Sequence, residues 1–187
     1  MRDCFVVPFN EETGFLAQAE ILLHGKNYLC PFRIATGCEY SIVLMSSLIK
    51  SEHKDGMIYD YKREAIDYGL KCVIRNSDLY GLPPDFEYEF AMKNDVTKRK
   101  ALKSKSARFV HKDVNISFAD CKIQHDIEVN YDYEGVSVLG MDILKDFRIH
   151  GGVSQITNNF VMILGKNGVD GNDFEKLVRE HFGYLVK

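Results

Sequence analysis

The 187-residue chain lacks the features typical of membrane, disulfide-bonded or nucleic-acid-binding proteins. No apolar run approaches the length needed to span a bilayer, and the short apolar stretch at the N-terminus is cut by Pro8 and shows no cleavage-site pattern. The five cysteines form no Cys-x-x-Cys pair, and their odd number favours free thiols in a reducing compartment. A net charge of −3 gives no global attraction to nucleic acid or to an anionic membrane. We therefore expect a cytoplasmic protein that binds neither.

Patterns typical of metal, nucleotide or thiol chemistry are also missing. The six histidines are scattered singly, with no His-x-x-x-His spacing and no His-Cys cluster. The Gly151-Gly152 pair follows an apolar run but lacks the Lys-Ser/Thr that a phosphate loop requires. Cys38 follows a turn glycine, but no histidine or asparagine can be paired with it from the sequence alone, so we interpret it as a small semi-buried thiol. We predict no metal and no cofactor.

The sequence contains enough apolar residues for the core of one domain, because 45% of the residues are hydrophobic and 27% are charged. Alternating apolar and polar residues predict strands in several places. Residues 15–23 lead into a turn at 24–27 and a second strand, which indicates a hairpin. Further strands are predicted at residues 85–90, 114–118, 121–129, 136–139, 147–149 and 160–164, and we interpret the last two as closing strands.

Two helices stand out from this strand-rich pattern. Ile58, Tyr61, Ala65 and Tyr68 recur at helical spacing, and Gly69 lies where a C-terminal cap is expected. Residues 172–185 form an amphipathic stripe and predict a C-terminal helix.

We interpret two other features as ordinary structural elements. The segment 98–108 carries six positive charges and no acid, which we interpret as a solvated loop, with a nucleic-acid or targeting patch as the alternative. His125 falls on the apolar face of its strand, so we predict a hydrogen-bonded core histidine.

Two short motifs point to a family. The first, at residues 34–41, reads hydrophobic-x-Thr-Gly-x-x-x-Ser, and the second, at 138–144, reads Val-Leu-Gly-Met-Asp-Ile-Leu. In this order and about a hundred residues apart, they resemble the retropepsin-like aspartic proteases. The resemblance implies a mainly β chain with a closed β-barrel core at about residues 15–164, a helical insertion after the active-site loop at about 51–95, and a C-terminal helix at about 172–185. All of residues 1–187 would then form a single domain.

The resemblance also implies a mechanism. One Thr-Gly loop supplies half of a site, and the family completes it by two-fold homodimerisation. Two aspartates about 3 Å apart at the axis share one proton, so that one activates water and the other hydrogen-bonds the developing oxyanion. The substrate is a polypeptide in extended conformation, covered by a flap that we place within 86–110 or, alternatively, 72–81. Site residues implied in this chain are Ala35, Thr36 and Gly37 for catalysis, and for substrate binding Arg33, Cys38, Arg108, Phe109 and Val138.

The chain departs from the family at its most important position, because Ala35 stands where the catalytic aspartate is expected. A methyl group cannot polarise water or hold a proton, so this chain is expected to be inactive. We favour an inactivating, engineered substitution in an otherwise competent aspartic endopeptidase. The alternative is a natural pseudoprotease that acts as a dimeric peptide-binding or regulatory module.

Overall fold

A computed structural model of the protein describes residues 3–75, 87–90, 95–119, 121–168 and 172–183. The strands in these ranges are β1 (Cys4–Asn10), β2 (Gly14–Leu23), β3 (Lys26–Ile34), β4 (Ile42–Leu44), β5 (Lys71–Arg75), β6 (Glu87–Phe90), β7 (Arg108–Phe118), β8 (Cys121–Asn130), β9 (Ser137–Leu139), β10 (Phe147–Val153) and β11 (Phe160–Lys166). The helices are α1 (Met45–Leu48), α2 (Lys54–Asp67), α3 (Asp95–Lys103), α4 (Met141–Leu144) and α5 (Asn172–Phe182).

Six of these strands close into a barrel. The sheet runs in the order β10-β11-β1-β2-β3-β9-β4-β8-β7-β5-β6, and an additional pairing joins β2 back to β7. That pairing is antiparallel and aligns Ile21 with Ile116. The predicted fold class is therefore confirmed: the chain is mainly β, with a closed barrel, helices after the loop that follows β3, and a C-terminal helix.

The barrel begins with the predicted hairpin. β2 and β3 pair from Leu16 opposite Arg33 to Leu23 opposite Lys26. The two turn residues, His24 and Gly25, have φ angles of 50° and 68°, which is the left-handed backbone that a two-residue hairpin turn requires. The hairpin of β7 and β8 also forms, with Phe118 opposite Cys121.

The core fills the barrel with the residues that the alternation predicted to be apolar and inward. On β2, Ala17, Ala19, Ile21 and Leu23 are all 3% exposed or less. Their neighbours Gln18, Glu20 and Leu22 are exposed, so the strand has one buried face. Phe5 on β1 stacks on Phe118 of β7 with ring centroids 4.7 Å apart, which extends the core beyond the barrel.

The predicted helices form, and α2 packs against this core while α5 packs in a second apolar cluster with Cys4 and Ile163. α2 buries Ile58, Tyr61 and Ala65, and Gly69 has a φ of 67° just beyond its C-terminus. Tyr68, by contrast, is 76% exposed, because it lies at the end of the helix beyond the buried stripe. α5 buries Phe174 and Val178 against the sheet formed by β10 and β11. Of the described helices, none has the length and hydrophobicity needed to cross a bilayer.

Three predictions from the sequence need correction. Most of the basic segment, up to Lys103, is helical in α3, and its last residue, Arg108, opens β7. β10 and β11 do not close the barrel, because they extend the sheet outward from β1. His125 is not a core residue, since its side chain is 26% exposed. Of the predicted strand at 85–90, the structure describes residues 87–90.

Candidate functional site

The loop between β3 and β4, residues 35–41, crosses the end of strand β9. β9 lies between these two strands, parallel to β3 and antiparallel to β4. The chain therefore leaves β3 on one side of β9, passes its C-terminal end, and returns on the other side as β4. This crossing brings residues 35–41 against Gly140 and helix α4, which follow β9 directly.

Backbone hydrogen bonds fix the first half of this loop. The amide of Ala35 donates to the carbonyl of Leu139 at 3.1 Å, which continues the pairing of β3 with β9. The amide of Cys38 then donates to the carbonyl of Ala35 at 3.0 Å and closes a tight turn over Thr36 and Gly37. The carbonyl of Cys38 in turn accepts from the amide of Met141 at 2.8 Å. Both ends of the turn are thus bound to the β9–α4 segment.

The second half of the loop is fixed by Ser41 and Asp142. The Ser41 hydroxyl donates to Oδ1 of Asp142 at 2.6 Å, and the Ser41 amide donates to Oδ2 at 3.0 Å. The same hydroxyl accepts from the amide of Gly140 at 2.8 Å. Ser41 is fully buried and the Asp142 side chain is 19% exposed, so these bonds are largely shielded from water and fix the spacing between loop and helix.

Gly140 allows the two segments to approach this closely. A Cβ atom at Gly140 would lie 2.5 Å from the backbone carbon and oxygen of Tyr40 and 3.0 Å from the carbonyl oxygen of Cys38. These are backbone atoms that cannot rotate away, so any side chain would push the loop off α4. The glycine of the second sequence motif is therefore required by contact with the first.

The result is a short exposed turn on a rigid base. Thr36, Gly37 and Cys38 are exposed, and Ala35 is half-buried at the point where the turn leaves β3. The prediction of a semi-buried Cys38 thiol is therefore wrong, because the side chain lies at the tip of a turn that projects from the strand ends. Arg33 is exposed on β3 and aligned with the half-buried Val138 on β9, directly before the turn. The structure thus brings six of the eight predicted site residues together on adjoining strand ends and the loop.

The other two predicted site residues are not on this surface. Phe109 is 0% exposed in the barrel core, and Arg108 is 8% exposed with its guanidinium 3.4 Å from the carboxylate of Glu128. Both lie on β7, where Arg108 aligns with Asn130 of β8. A substrate cannot contact such side chains without opening the barrel, so we remove both residues from the substrate-binding set.

The flap predictions fall partly on described residues. The first candidate, 86–110, contains β6, α3 and the start of β7, with residues 86 and 91–94 outside the described residues. The alternative, 72–81, begins in β5, which pairs antiparallel with β6, and its residues 76–81 lie outside the described residues. We therefore assign no flap to the described residues of either segment.

His125 lies near the loop but was not among the predicted site residues. Nε2 of His125 lies 3.6 Å from Oδ2 of Asp142, at ion-pair distance once the imidazole is protonated. β8 runs parallel to β4, and His125 precedes Glu128, the residue that pairs with Ile42 at the start of β4. No sequence signal pairs the two residues, because the strand alternation assigned His125 to the apolar face. Within the described ranges, no three His, Cys, Asp or Glu side chains cluster as metal ligands do.

Comparisons with known proteins add little to this geometry. No protein-family model matches the chain, and no curated protein matches it in sequence. Among solved structures, the chain is similar to a retropepsin-like aspartic protease from Rickettsia conorii, with 12% sequence identity and a TM-score of 0.43 over 87% of this chain and 90% of that chain. At this identity and TM-score the similarity does not carry an argument about function.

Proposed function

We propose that the chain is one half of a retropepsin-like aspartic endopeptidase, silenced by alanine at the position of the catalytic aspartate. The observation that carries the proposal is the fixed turn at residues 35–38. It is exposed, it is bound at both ends to the β9–α4 segment, and it includes the Thr-Gly pair typical of that family. The side chain at position 35 emerges where this turn begins.

The proposed chemistry needs two copies of the turn. When two subunits meet about a two-fold axis, each contributes one residue 35 to a shared site. Two aspartates in that position would share one proton, since two like charges at about 3 Å cannot both ionise. The ionised carboxylate would then take a proton from water as it attacks the peptide carbonyl, and the protonated one would stabilise the oxyanion.

Alanine removes both roles from both subunits at once. The Ala35 methyl group neither accepts a proton nor donates a hydrogen bond. Ser41, Asp142 and Gly140 still hold the turn in place, so the loss is one of chemistry and not of local structure. We therefore expect the chain to fold normally and to show no peptidase activity.

The test is to install the missing carboxyl. The Ala35→Asp variant is incubated with a mixture of unstructured peptides at pH values from 4 to 7, and cleavage products are identified by mass spectrometry. The matched control is Ala35→Asn, which has nearly the same shape but cannot ionise. Cleavage by the aspartate variant alone supports the proposal. An Ala35→Asp variant that is folded and dimeric, yet inactive throughout this range, contradicts it.

A second candidate function is favoured by Ala35 itself. Without charge at the axis, the same dimeric cleft would hold an extended peptide without cutting it, as a binding or regulatory module. Fluorescence titration with labelled peptides separates the two candidates. If the chain is a binding module, the parent binds peptide as tightly as the Ala35→Asp variant does, and that variant gives no product. If the chain is a disabled enzyme, the variant gives product.

A further inference from the structure

Helix α3 and the residues directly after it form a surface whose exposed side chains are all basic. Between residues 98 and 107, the exposed side chains are those of Arg99, Lys100, Lys103 and Lys105. Lys98 is half-buried, and the remaining side chains are apolar or serine and are buried or half-buried. We call the four exposed cations the basic surface. Its charge is opposite in sign to that of the whole chain, which is −3.

The three helical members of the basic surface share one face of α3. Arg99, Lys100 and Lys103 lie within about 100° of one another around the helix axis. Ala101, on the opposite side, is 2% exposed and belongs to the core. Arg99 and Lys103 are four residues apart, and like charges at this spacing repel each other. The helix dipole favours the cations of the last turn, Lys100 and Lys103, but it does not account for Arg99.

Hydrogen bonds hold the end of this segment against the rest of the protein. Nζ of Lys62 in α2 donates to the carbonyl of Ser104 at 3.1 Å. Nδ2 of Asn130 donates to the carbonyl of Lys105 at 2.8 Å and to that of Ala107 at 3.2 Å. The four cations are therefore carried by a fixed backbone, so backbone movement does not relieve their mutual repulsion.

The basic surface is not neutralised within the described part of the chain. No described carboxylate lies within ion-pair distance of any of the four cations. The neighbouring basic residues differ in this respect. Arg108 pairs with Glu128, and Lys62 pairs with Asp132. Four fixed cations without counter-ions attract an external group that carries several negative charges.

The basic surface lies close to the loop at residues 35–41. Asn130, which holds the backbone of Lys105, pairs with Leu44 of β4. Leu44 is three residues beyond Ser41, so about 10 Å of strand separates this contact from the end of the loop. A polypeptide of a few residues can span such a distance in extended conformation.

From these observations we propose that the basic surface is a secondary binding site that selects acidic polypeptides, in which several Asp or Glu residues adjoin the segment held at the turn 35–38. The inference rests on the proposed function, which places an extended polypeptide at that turn, and it adds the class of polypeptide. Exposed ion pairs are individually weak. They become selective when the ligand is already held nearby, because the second contact is then intramolecular.

The composition of the surface argues against two other kinds of anionic partner. No aromatic side chain is exposed between residues 98 and 107, so nucleic-acid bases have none to stack on. Contacts to phosphates alone, from so few cations, give weak and salt-sensitive binding. No apolar side chain is exposed there either, so an anionic membrane would bury no apolar area.

Peptide binding to the parent chain tests the site without any catalysis. Fluorescence anisotropy compares three labelled, unstructured peptides of equal length, which share a neutral central segment and carry several Glu, Gln or Lys residues on both sides of it. The glutamate peptide should bind at least about tenfold more tightly than the glutamine peptide, and the lysine peptide should bind most weakly. Equal affinity for the three peptides overturns the inference.

Charge reversal tests whether α3 causes the preference. The double variant Lys100→Glu, Lys103→Glu should lower the affinity for the glutamate peptide at least about tenfold and leave that for the glutamine peptide unchanged. The milder pair Lys100→Gln, Lys103→Gln should give an intermediate loss, and it serves as the test if the reversal impairs folding.

The matched control moves the same charge change to other surfaces. Lys122→Glu, Lys176→Glu alters exposed residues of β8 and α5 and changes the net charge by the same amount as the α3 reversal. It should leave most of the preference for the glutamate peptide intact. If both double variants lower the affinity equally, the overall charge is responsible and the inference is wrong.

Two further ligands check what the surface recognises. A short glutamate peptide without the neutral segment contacts only α3 and should bind at least about tenfold more weakly than the full glutamate peptide. Equal affinity of the two would show that the basic surface does not act together with the turn. A single-stranded oligonucleotide of the same charge should also bind more weakly. If it binds more tightly, and Lys100→Glu, Lys103→Glu abolishes this, the partner is a nucleic acid and the inference falls.

These outcomes are separable from those of the peptidase test. If Ala35→Asp cleaves glutamate and glutamine peptides equally well, the proposed function stands and this inference falls. If the parent prefers the glutamate peptide through α3 and Ala35→Asp cleaves nothing, the acidic binding site stands and the peptidase proposal falls.

Discussion

Ser41 and Asp142 are 101 residues apart in the sequence, yet the Ser41 hydroxyl donates to the Asp142 carboxylate at 2.6 Å. This bond joins the two motifs that stand out in the sequence. The bond fixes the loop at residues 35–41, which includes the turn at 35–38. Its loss should therefore lower the stability of the protein and also any activity restored by an aspartate at position 35.

Replacing Ser41 by alanine should lower the free energy of unfolding by about 2–3 kcal/mol, because it removes a bond to a carboxylate and leaves the buried amide of Gly140 without its acceptor. Chemical denaturation measures the change. The control Ser51→Ala removes an exposed hydroxyl that accepts from the nearby His53 amide, and it should change stability by less than about 0.5 kcal/mol. Equal effects of the two substitutions would contradict the assigned role of Ser41.

Substitution of Gly140 should be much more damaging. Gly140→Ala introduces a Cβ 2.5 Å from the backbone of Tyr40, so the loop must move, and we expect destabilisation of about 3 kcal/mol or more, or failure to fold. Gly56→Ala, in a helix with open space, should instead stabilise the protein by about 0.5–1 kcal/mol. Thermal unfolding of both variants checks the predicted difference in sign. A Gly140→Ala variant as stable as the parent would show that the loop is not in contact with Gly140.

The ion pair between the buried Lys62 of α2 and Asp132 joins α2 to the segment that follows β8. Nζ of Lys62 lies 2.7 Å from Oδ2 of Asp132, and the lysine side chain is only 3% exposed. Asp132→Ala leaves a buried ammonium without its counter-ion and should cost about 3 kcal/mol, whereas the double variant with Lys62→Met should recover much of that loss. Denaturant titrations of the single and double variants measure this. Glu134→Ala, which breaks an exposed pair with Lys54, should leave stability nearly unchanged.

Stability should fall with acid because of a half-buried histidine, His111. His111 donates or accepts one hydrogen bond with the Tyr131 hydroxyl at 2.7 Å, and that hydroxyl lies 2.8 Å from His24, which in turn contacts Glu64. Burial, with a smaller contribution from His24, lowers the pKa of His111 to about 4 from 6.5.

Because the folded-state pKa lies below the unfolded one, the unfolded chain takes up the proton first as the pH falls. The contribution of neutral His111 to the free energy of unfolding is therefore complete above about pH 6.5. It is lost between pH 6.5 and 4, by up to about 3 kcal/mol. His111→Gln should flatten this part of the stability profile, measured by denaturation from pH 4 to 7. The exposed His53→Gln should not. An unchanged slope in His111→Gln would show that another group is responsible.

The sequence determined the local elements well, since their signals lie within a few residues of one another. The alternation on β2 and the turn at His24 and Gly25 need only side-chain polarity and a backbone that accepts positive φ. The stripe on α2 and the glycine beyond it are equally local. The two motifs also suggested a common site, because together they resemble one family.

Contacts between distant segments were decided by the tertiary structure. Sequence periodicity cannot say that β10 extends the sheet beyond β1 or that Phe109 lies inside the barrel, because the pairing of strands depends on which edges and faces remain free after the barrel closes. His125 shows the same limit: alternation assigns a face, but only the parallel packing of β8 on β4 brings its ring to Asp142. The need for glycine at position 140 likewise arises from a loop a hundred residues earlier, since the excluded volume belongs to Tyr40.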